Sequence, residues 1–125
     1  MDSDQIKPGL KAEMHRKVIK KLSVAPGGPG AGYVLSSPSM IGLMENTCVQ
    51  ALRPYLPEGY ATVGYHVDVR HSAPTPLGEQ VRVTAELNEV DGNKLLFSVE
   101  AFYGEKRIGS GLHRRAIIPI KPPTA

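Results

Sequence analysis

The amino-acid sequence predicts an α+β fold, with one long helix set against an antiparallel sheet of about five strands. Three observations carry the prediction. Helical periodicity dominates residues 38–53. Later stretches alternate apolar and polar residues with a period of two. Asp91-Gly92, a strong hairpin signal, stands between two of them.

The first strand falls within residues 10–19, where Leu10, Ala12, Met14 and Val18 share a parity that Arg16 interrupts. Residues 25–32 are Gly- and Pro-rich and read as an irregular loop or lid. Ser37-Pro38 then starts the helix, with Ser37 as the expected N-cap and Pro38 as the first helical residue. Pro54 closes it. Tyr65, Val67 and Val69 alternate with His66, Asp68 and Arg70. Val81, Val83, Ala85 and Leu87 alternate with Arg82, Thr84 and Glu86. After the turn, Leu95, Phe97, Val99, Ala101 and Tyr103 alternate again, and a last strand spans about residues 107–120. The whole reads as one domain, 1–125, with loosely ordered termini at 1–9 and 119–125. A single helix covers one face of such a sheet, so a homodimer or a tetramer is a natural way to complete it.

Composition narrows the function classes. The lone cysteine, Cys48, excludes an intramolecular disulfide and fits a reducing compartment, so the expected location is cytoplasmic. No apolar run approaches a membrane span, and residues 1–11 lack the apolar core of a signal peptide. Net charge is +3, and Lys11, Arg16, Lys17, Lys20 and Lys21 gather near the start. They fit a nucleic-acid footprint, a landing site for a phosphate-bearing cofactor, or a charged sheet edge. No aromatic stacking platform accompanies them, so nucleic acid is not an expected partner, and without an apolar span neither is a membrane. The four histidines show no metal-ligand spacing, and there is no P-loop, dinucleotide fingerprint or nucleophile elbow. No metal and no resident cofactor is expected.

Two residues stand out on chemical grounds. On a helical wheel Asn46, Gln50 and Arg53 form a narrow polar arc, but Glu45 falls between Leu52 and Val49, on a face expected to be buried. Burying an ion costs on the order of several kcal/mol unless it is partnered. Glu45 is therefore either a catalytic carboxylate or a structural one bonded to an amide or an arginine. His71 shares the parity of Val67 and Val69 and ends its strand beside a Pro-rich loop. That placement suits acid–base work, and it suits an ordinary core histidine too. His66 and His113 fall on other parities and are expected to be exposed.

Three segments together resemble the fluoroacetyl-CoA thioesterase-like branch of the hotdog superfamily. They are Ser37-Pro38-Ser39-Met40-Ile41-Gly42-Leu43-Met44-Glu45 with Cys48-Val49 and Pro54-Tyr55-Leu56; Gly64 with His71-Ser72-Ala73-Pro74-Thr75-Pro76; and Ile108-Gly109-Ser110-Gly111-Leu112-His113-Arg114-Arg115-Ala116. The resemblance implies a hotdog fold, a long central helix wrapped by the sheet, and hydrolysis of an acyl-CoA at a dimer interface. Coenzyme A would enter only as part of the substrate. By match to the family motif, the catalytic group is Ser37 (where the family pattern has threonine), Glu45 and His71. Gly64 matches a glycine near the acyl group, and Arg115 matches a motif arginine that, with other basic rim residues, would meet CoA phosphates. The family's aromatic gating residues precede the helix, whereas here Tyr33 alone is aromatic in residues 24–35. The implied substrate is accordingly a broader short or medium acyl-CoA. A non-catalytic acyl-CoA sensor and a hotdog hydratase or dehydratase are the alternatives, since a fold alone fixes no reaction.

Overall fold

A computed structural model describes residues 3–28, 30 and 32–121. Strands β1 (Lys11–Lys17), β4 (Tyr60–His71), β5 (Gln80–Asp91), β6 (Lys94–Tyr103) and β7 (Lys106–Pro119) form one antiparallel sheet in the order β1-β5-β6-β7-β4. Helix α1 (Ser37–Leu52) precedes β4. Strands β2 (Ser23–Val24) and β3 (Val34–Leu35) pair as a separate ribbon that the sequence did not predict. The Gly/Pro-rich loop joins them, and Pro29 and Ala31 within it lie outside the described residues.

The core follows the predicted strand parity. Val81, Val83, Ala85 and Leu87 of β5 and Leu95, Phe97, Val99 and Ala101 of β6 are buried. Facing them from α1 are Met40, Leu43, Met44, Cys48, Ala51 and Leu52. Each Val, Leu, Phe or Met side chain among them contributes about 1.5–3 kcal/mol on burial, so this face holds the helix in place. The β5–β6 hairpin turns between Asp91 and Lys94, with Gly92 at φ 61° as a primed turn requires.

Several expectations are corrected. The helix cap is Ser36, not Ser37: Ser36 Oγ accepts the Ser39 amide at 3.2 Å, and Pro38 sits one position further in. The N-terminal stretch is docked over residues 3–9. Ile6 is buried, and the Gly9 amide donates to the Leu87 carbonyl at 2.8 Å. At the other end, Pro119 closes β7 and the Ile120 amide donates to Gly59; residues 122–125 lie outside the described residues, as do Met1 and Asp2.

The two sheet edges differ. Edge strand β1 carries Lys11, His15, Arg16 and Lys17, all exposed, which discourages strand addition. Edge strand β4 instead exposes Val63 (44%), Tyr65 (48%) and Val67 (42%). Val67 shares the face of Val69, which packs against the core, and would be expected to meet the helix as well. It does not, because α1 packs chiefly over β5 and β1 and leaves most of β4 uncovered.

Candidate functional site

The site residues fall into two groups at opposite ends of the uncovered flank. The first is Ser37 with His71. Because Ser36 caps the helix, the Ser37 hydroxyl is free for another partner. It lies 2.7 Å from His71 Nδ1. As donor to a bare Nδ1 it leaves the ring proton on Nε2, which is shielded from solvent and has no hydrogen-bond partner among the described residues. Burial pushes the imidazole below its ordinary 6.5, and the Ala73 backbone opposes that shift. A hydroxyl against a neutral imidazole is the geometry of an activated nucleophile or a proton relay. The helix start supplies fewer free amides than its dipole suggests. Pro38 has none, Ser39's is taken by Ser36 Oγ, and Met40's by the Ser36 carbonyl.

The second group surrounds Glu45. Ser37, Ile41, Glu45 and Val49 form one i, i+4 ridge along α1. Glu45 is therefore roughly 12 Å along the helix from Ser37, at about 1.5 Å per residue. Its side chain was expected to be buried and is 38% exposed, because the ridge faces the open β4 flank. Gly64 lies beneath it. A Cβ on Gly64 would meet His113 Cε1 at 2.8 Å, and Arg115 Nη1 and Glu45 Oε2 at 3.1 Å each. Glycine is required here by close approach of three side chains.

Arg115 is not the rim residue that was expected. It is 6% exposed and turned inward. Its Nε donates to Thr62 Oγ1 at 2.9 Å, its Nη2 to the Thr62 carbonyl at 2.9 Å, and its Nη1 lies 3.1 Å from His113 Nε2. Burial lowers its pKa, which Cys48 and Glu45 oppose. His113, read from sequence as exposed, is fully buried at this site. The signal for it was present: it shares parity on β7 with Gly111 and Arg115, while Leu112 points outward at 39% exposure. Cys48 is buried beside the cluster, and burial pushes its thiol up to about 12. Among the described residues no cluster of His, Cys, Asp or Glu is arranged to hold a metal. None of the described helices is long and apolar enough to cross a membrane.

Comparison with known proteins defines the class first. The chain superimposes on a hot-dog-like protein from Thermanaerovibrio acidaminovorans with a TM-score of 0.83 and 26% identity, covering 95% of this chain and 89% of that one. It superimposes on the fluoroacetyl-CoA thioesterase FlK with a TM-score of 0.82 and 38% identity, covering 91% and 89%. The fold is a hotdog fold. A family model described as fluoroacetyl-CoA-specific thioesterase matches residues 13–121. The fluoroacetyl-CoA thioesterase of Streptantibioticus cattleyicolor is 46% identical over 88 residues, 70% of this chain. That match spans 63% of the length of the curated relative. This chain belongs to the fluoroacetyl-CoA-specific thioesterase family.

Proposed function

We propose that the protein is an acyl-CoA thioesterase, hydrolysing a short or medium acyl thioester to free acid and CoA at a site built by two copies of the chain. The observation that carries this reading is the 2.7 Å contact between the Ser37 hydroxyl and His71 Nδ1 at the start of the helix that also bears Glu45. Relatives named as fluoroacetyl-CoA thioesterases support the reaction class.

The chemistry divides as follows. Glu45 takes a proton from water as the water oxygen adds to the thioester carbonyl carbon, or its carboxylate attacks that carbon and water resolves the anhydride. By the first route the C–S bond breaks as the proton taken by Glu45 passes through His71 to the departing sulfur; by the second the sulfur leaves as a thiolate, and the proton lost by the resolving water reaches it through His71. Ser37 orients His71. Oxyanion donors are the Ser37 and Gly64 amides. Arg115, held inside, serves the acyl end, while exposed lysines such as Lys20 and Lys21 are the candidates for CoA phosphates. With Tyr33 the only aromatic in residues 24–35, no aromatic gate selects fluoroacetyl, and the acyl range is broad.

Two copies are needed because the groups are too far apart in one. Gly64 and His71 lie roughly 23 Å apart along β4, at about 3.3 Å per residue. Antiparallel pairing of two β4 edges would bring His71 of one copy beside Gly64 and Glu45 of the other. It would also cover Val63, Tyr65 and Val67. A buried lone thiol at Cys48 fits a cytoplasmic enzyme.

The test is thiol release over an acyl-CoA panel with wild type, Glu45→Gln and His71→Ala. Wild type is expected to release CoA, and each variant to lose about 100-fold or more. No CoA release from any acyl group refutes the reading: tight binding without turnover would indicate a sensor, and hydration without thiol release a hydratase. Full activity in both variants refutes the site.

A further inference from the structure

We propose that His113 is a positioning residue for the Glu45 site: a neutral imidazole protonated on Nδ1, which locks the Arg115 guanidinium in place and acts on the reaction through it. This deepens the thioesterase reading and rests on it.

The tautomer follows from the partners. His113 Nδ1 lies 2.9 Å from the His66 carbonyl oxygen, which can only accept, so Nδ1 carries the proton. In a neutral ring Nε2 is then a bare lone pair. It accepts from Arg115 Nη1 at 3.1 Å. Nε2 also lies 3.8 Å from Glu45 Oε2, a distance that would make an ion pair only if the ring held a second proton. A second proton would set an Nε2–H against an Arg115 N–H. Burial opposes it too, pushing the imidazole below 6.5. The charged and titratable groups facing the ring are Glu45 from α1, Arg115 from β7 and His66 from β4. The His66 carbonyl and, less strongly, Glu45 favour the imidazolium, but burial outweighs them, and Arg115 and the His66 ring oppose it as well.

The consequence falls on Arg115. Thr62 Oγ1 and the Thr62 carbonyl accept from Nε and Nη2, and His113 accepts from Nη1. One Nη1 hydrogen is left over. Nη1 and Glu45 Oε2 each lie 3.1 Å from the point where a Gly64 Cβ would be. The leftover donor and the carboxylate therefore border the same space above Gly64. That point itself is too tight for a carbon atom, so a reacting acyl group packs over it, with a hydrogen-bond donor on one side and Glu45 on the other. Without His113 the guanidinium can rotate about its Thr62 contacts, or collapse onto Glu45.

The experiment compares wild type with His113→Leu, which removes both ring nitrogens, and His113→Gln, which restores an acceptor for Arg115. Steady-state thiol release, melting temperature and imidazole nitrogen-15 shifts of wild type are measured. At neutral pH the wild-type spectrum is expected to show His113 as the Nδ1–H tautomer. His113→Leu is expected to lose about tenfold or more in kcat with KM within about threefold, and His113→Gln to recover most of that loss. A spectrum of the Nε2–H tautomer or of imidazolium overturns the proposal. So does full kcat in His113→Leu, or a His113→Gln enzyme no better than the leucine variant. If the leucine variant fails to fold, the glutamine variant and the wild-type spectrum still decide. If wild type releases no thiol at all, the thioesterase reading fails, and with it the role in turnover, while the spectrum still tests the His113–Arg115 arrangement separately.

Discussion

Gly64→Ala is the sharpest single perturbation of this site. Its φ is not in the left-handed region, so the backbone accepts alanine and the effect is steric. The added methyl would stand 2.8 Å from His113 Cε1, closer than real Cβ contacts tolerate. His113 cannot give way easily, because it is fully buried and bonded at both nitrogens. Overpacking of this kind costs about 1–3 kcal/mol, and the loss of glycine's unfolded-state freedom offsets about 0.4–1 kcal/mol. The net is a destabilisation of about 1–2 kcal/mol, or roughly 3–8 °C in Tm for a chain of this size. Activity should fall further, by about 100-fold, because the methyl occupies the space that Glu45 and Arg115 border. Thermal unfolding and thiol release are read on the same preparation. Gly42→Ala is the control: nothing lies within 4 Å of its Cβ, and a helical glycine replaced by alanine gains about 0.5–1 kcal/mol. A Gly64→Ala enzyme with unchanged Tm and nearly full kcat/KM would refute the assignment of the reacting group to this space.

The neighbouring serines should separate cleanly. Ser36→Ala loses the cap and about 1 kcal/mol of stability with little change in turnover, whereas Ser37→Ala keeps its Tm and loses turnover; the reverse pattern would return the cap to Ser37. Stability should fall on acidification. His71 and His113 both have folded pKa values below the ordinary 6.5, so the unfolded chain takes up protons first; the stability is present above 6.5 and is lost as pH falls through the folded values. A Tm independent of pH between about 7 and 5 would contradict this. Cys48, fully buried with its thiol near 12, should resist alkylation in the native protein at mildly alkaline pH and react once unfolded. Rapid native labelling would mean that the core opens at α1.

The sequence was most informative where a strand buries one apolar face. In β5 and β6 the inward residues are Val, Ala, Leu and Phe, so period-two alternation alone assigned them. The same rule fails on β4 and β7, whose inward residues include Thr62, Gly64, His113 and Arg115. Polarity there is inverted, with Leu112 outside and His113 inside. A bulge between Gly64 and His66 adds to the difficulty: it shifts parity by one, so Gly64 and Val67 share a face although counting by twos separates them. The cap was ambiguous for a local reason. Ser36 and Ser37 carry the same hydroxyl, and Pro38 suits either of the first two helical positions. The Glu45 anomaly was legible because it broke a helical pattern, but its exposure depends on where α1 stops covering the sheet, which is a property of the tertiary packing.

The separation of the two groups leads to a test that needs no structure of a complex. If one site takes Glu45 from one copy and His71 from the other, two inactive variants should rescue each other. In a dimer of one Glu45→Gln chain and one His71→Ala chain, one of the two sites joins the intact Glu45 to the intact His71, and the other joins both defects. Random exchange of equal amounts makes about half of the dimers mixed, so about a quarter of wild-type activity should return. If each chain instead supplies a whole site, every site in the mixed dimer carries one defect and nothing is recovered. The measurement is thiol release after the variants are mixed, unfolded and refolded together, with each variant refolded alone as the baseline. Activity at the baseline, in a mixture shown by mass to contain mixed dimers, would place Ser37, Glu45 and His71 of a single chain in one site and rule out the shared arrangement. Recovery near a quarter would explain why an edge strand of twelve residues keeps Val63, Tyr65 and Val67 exposed in the single chain.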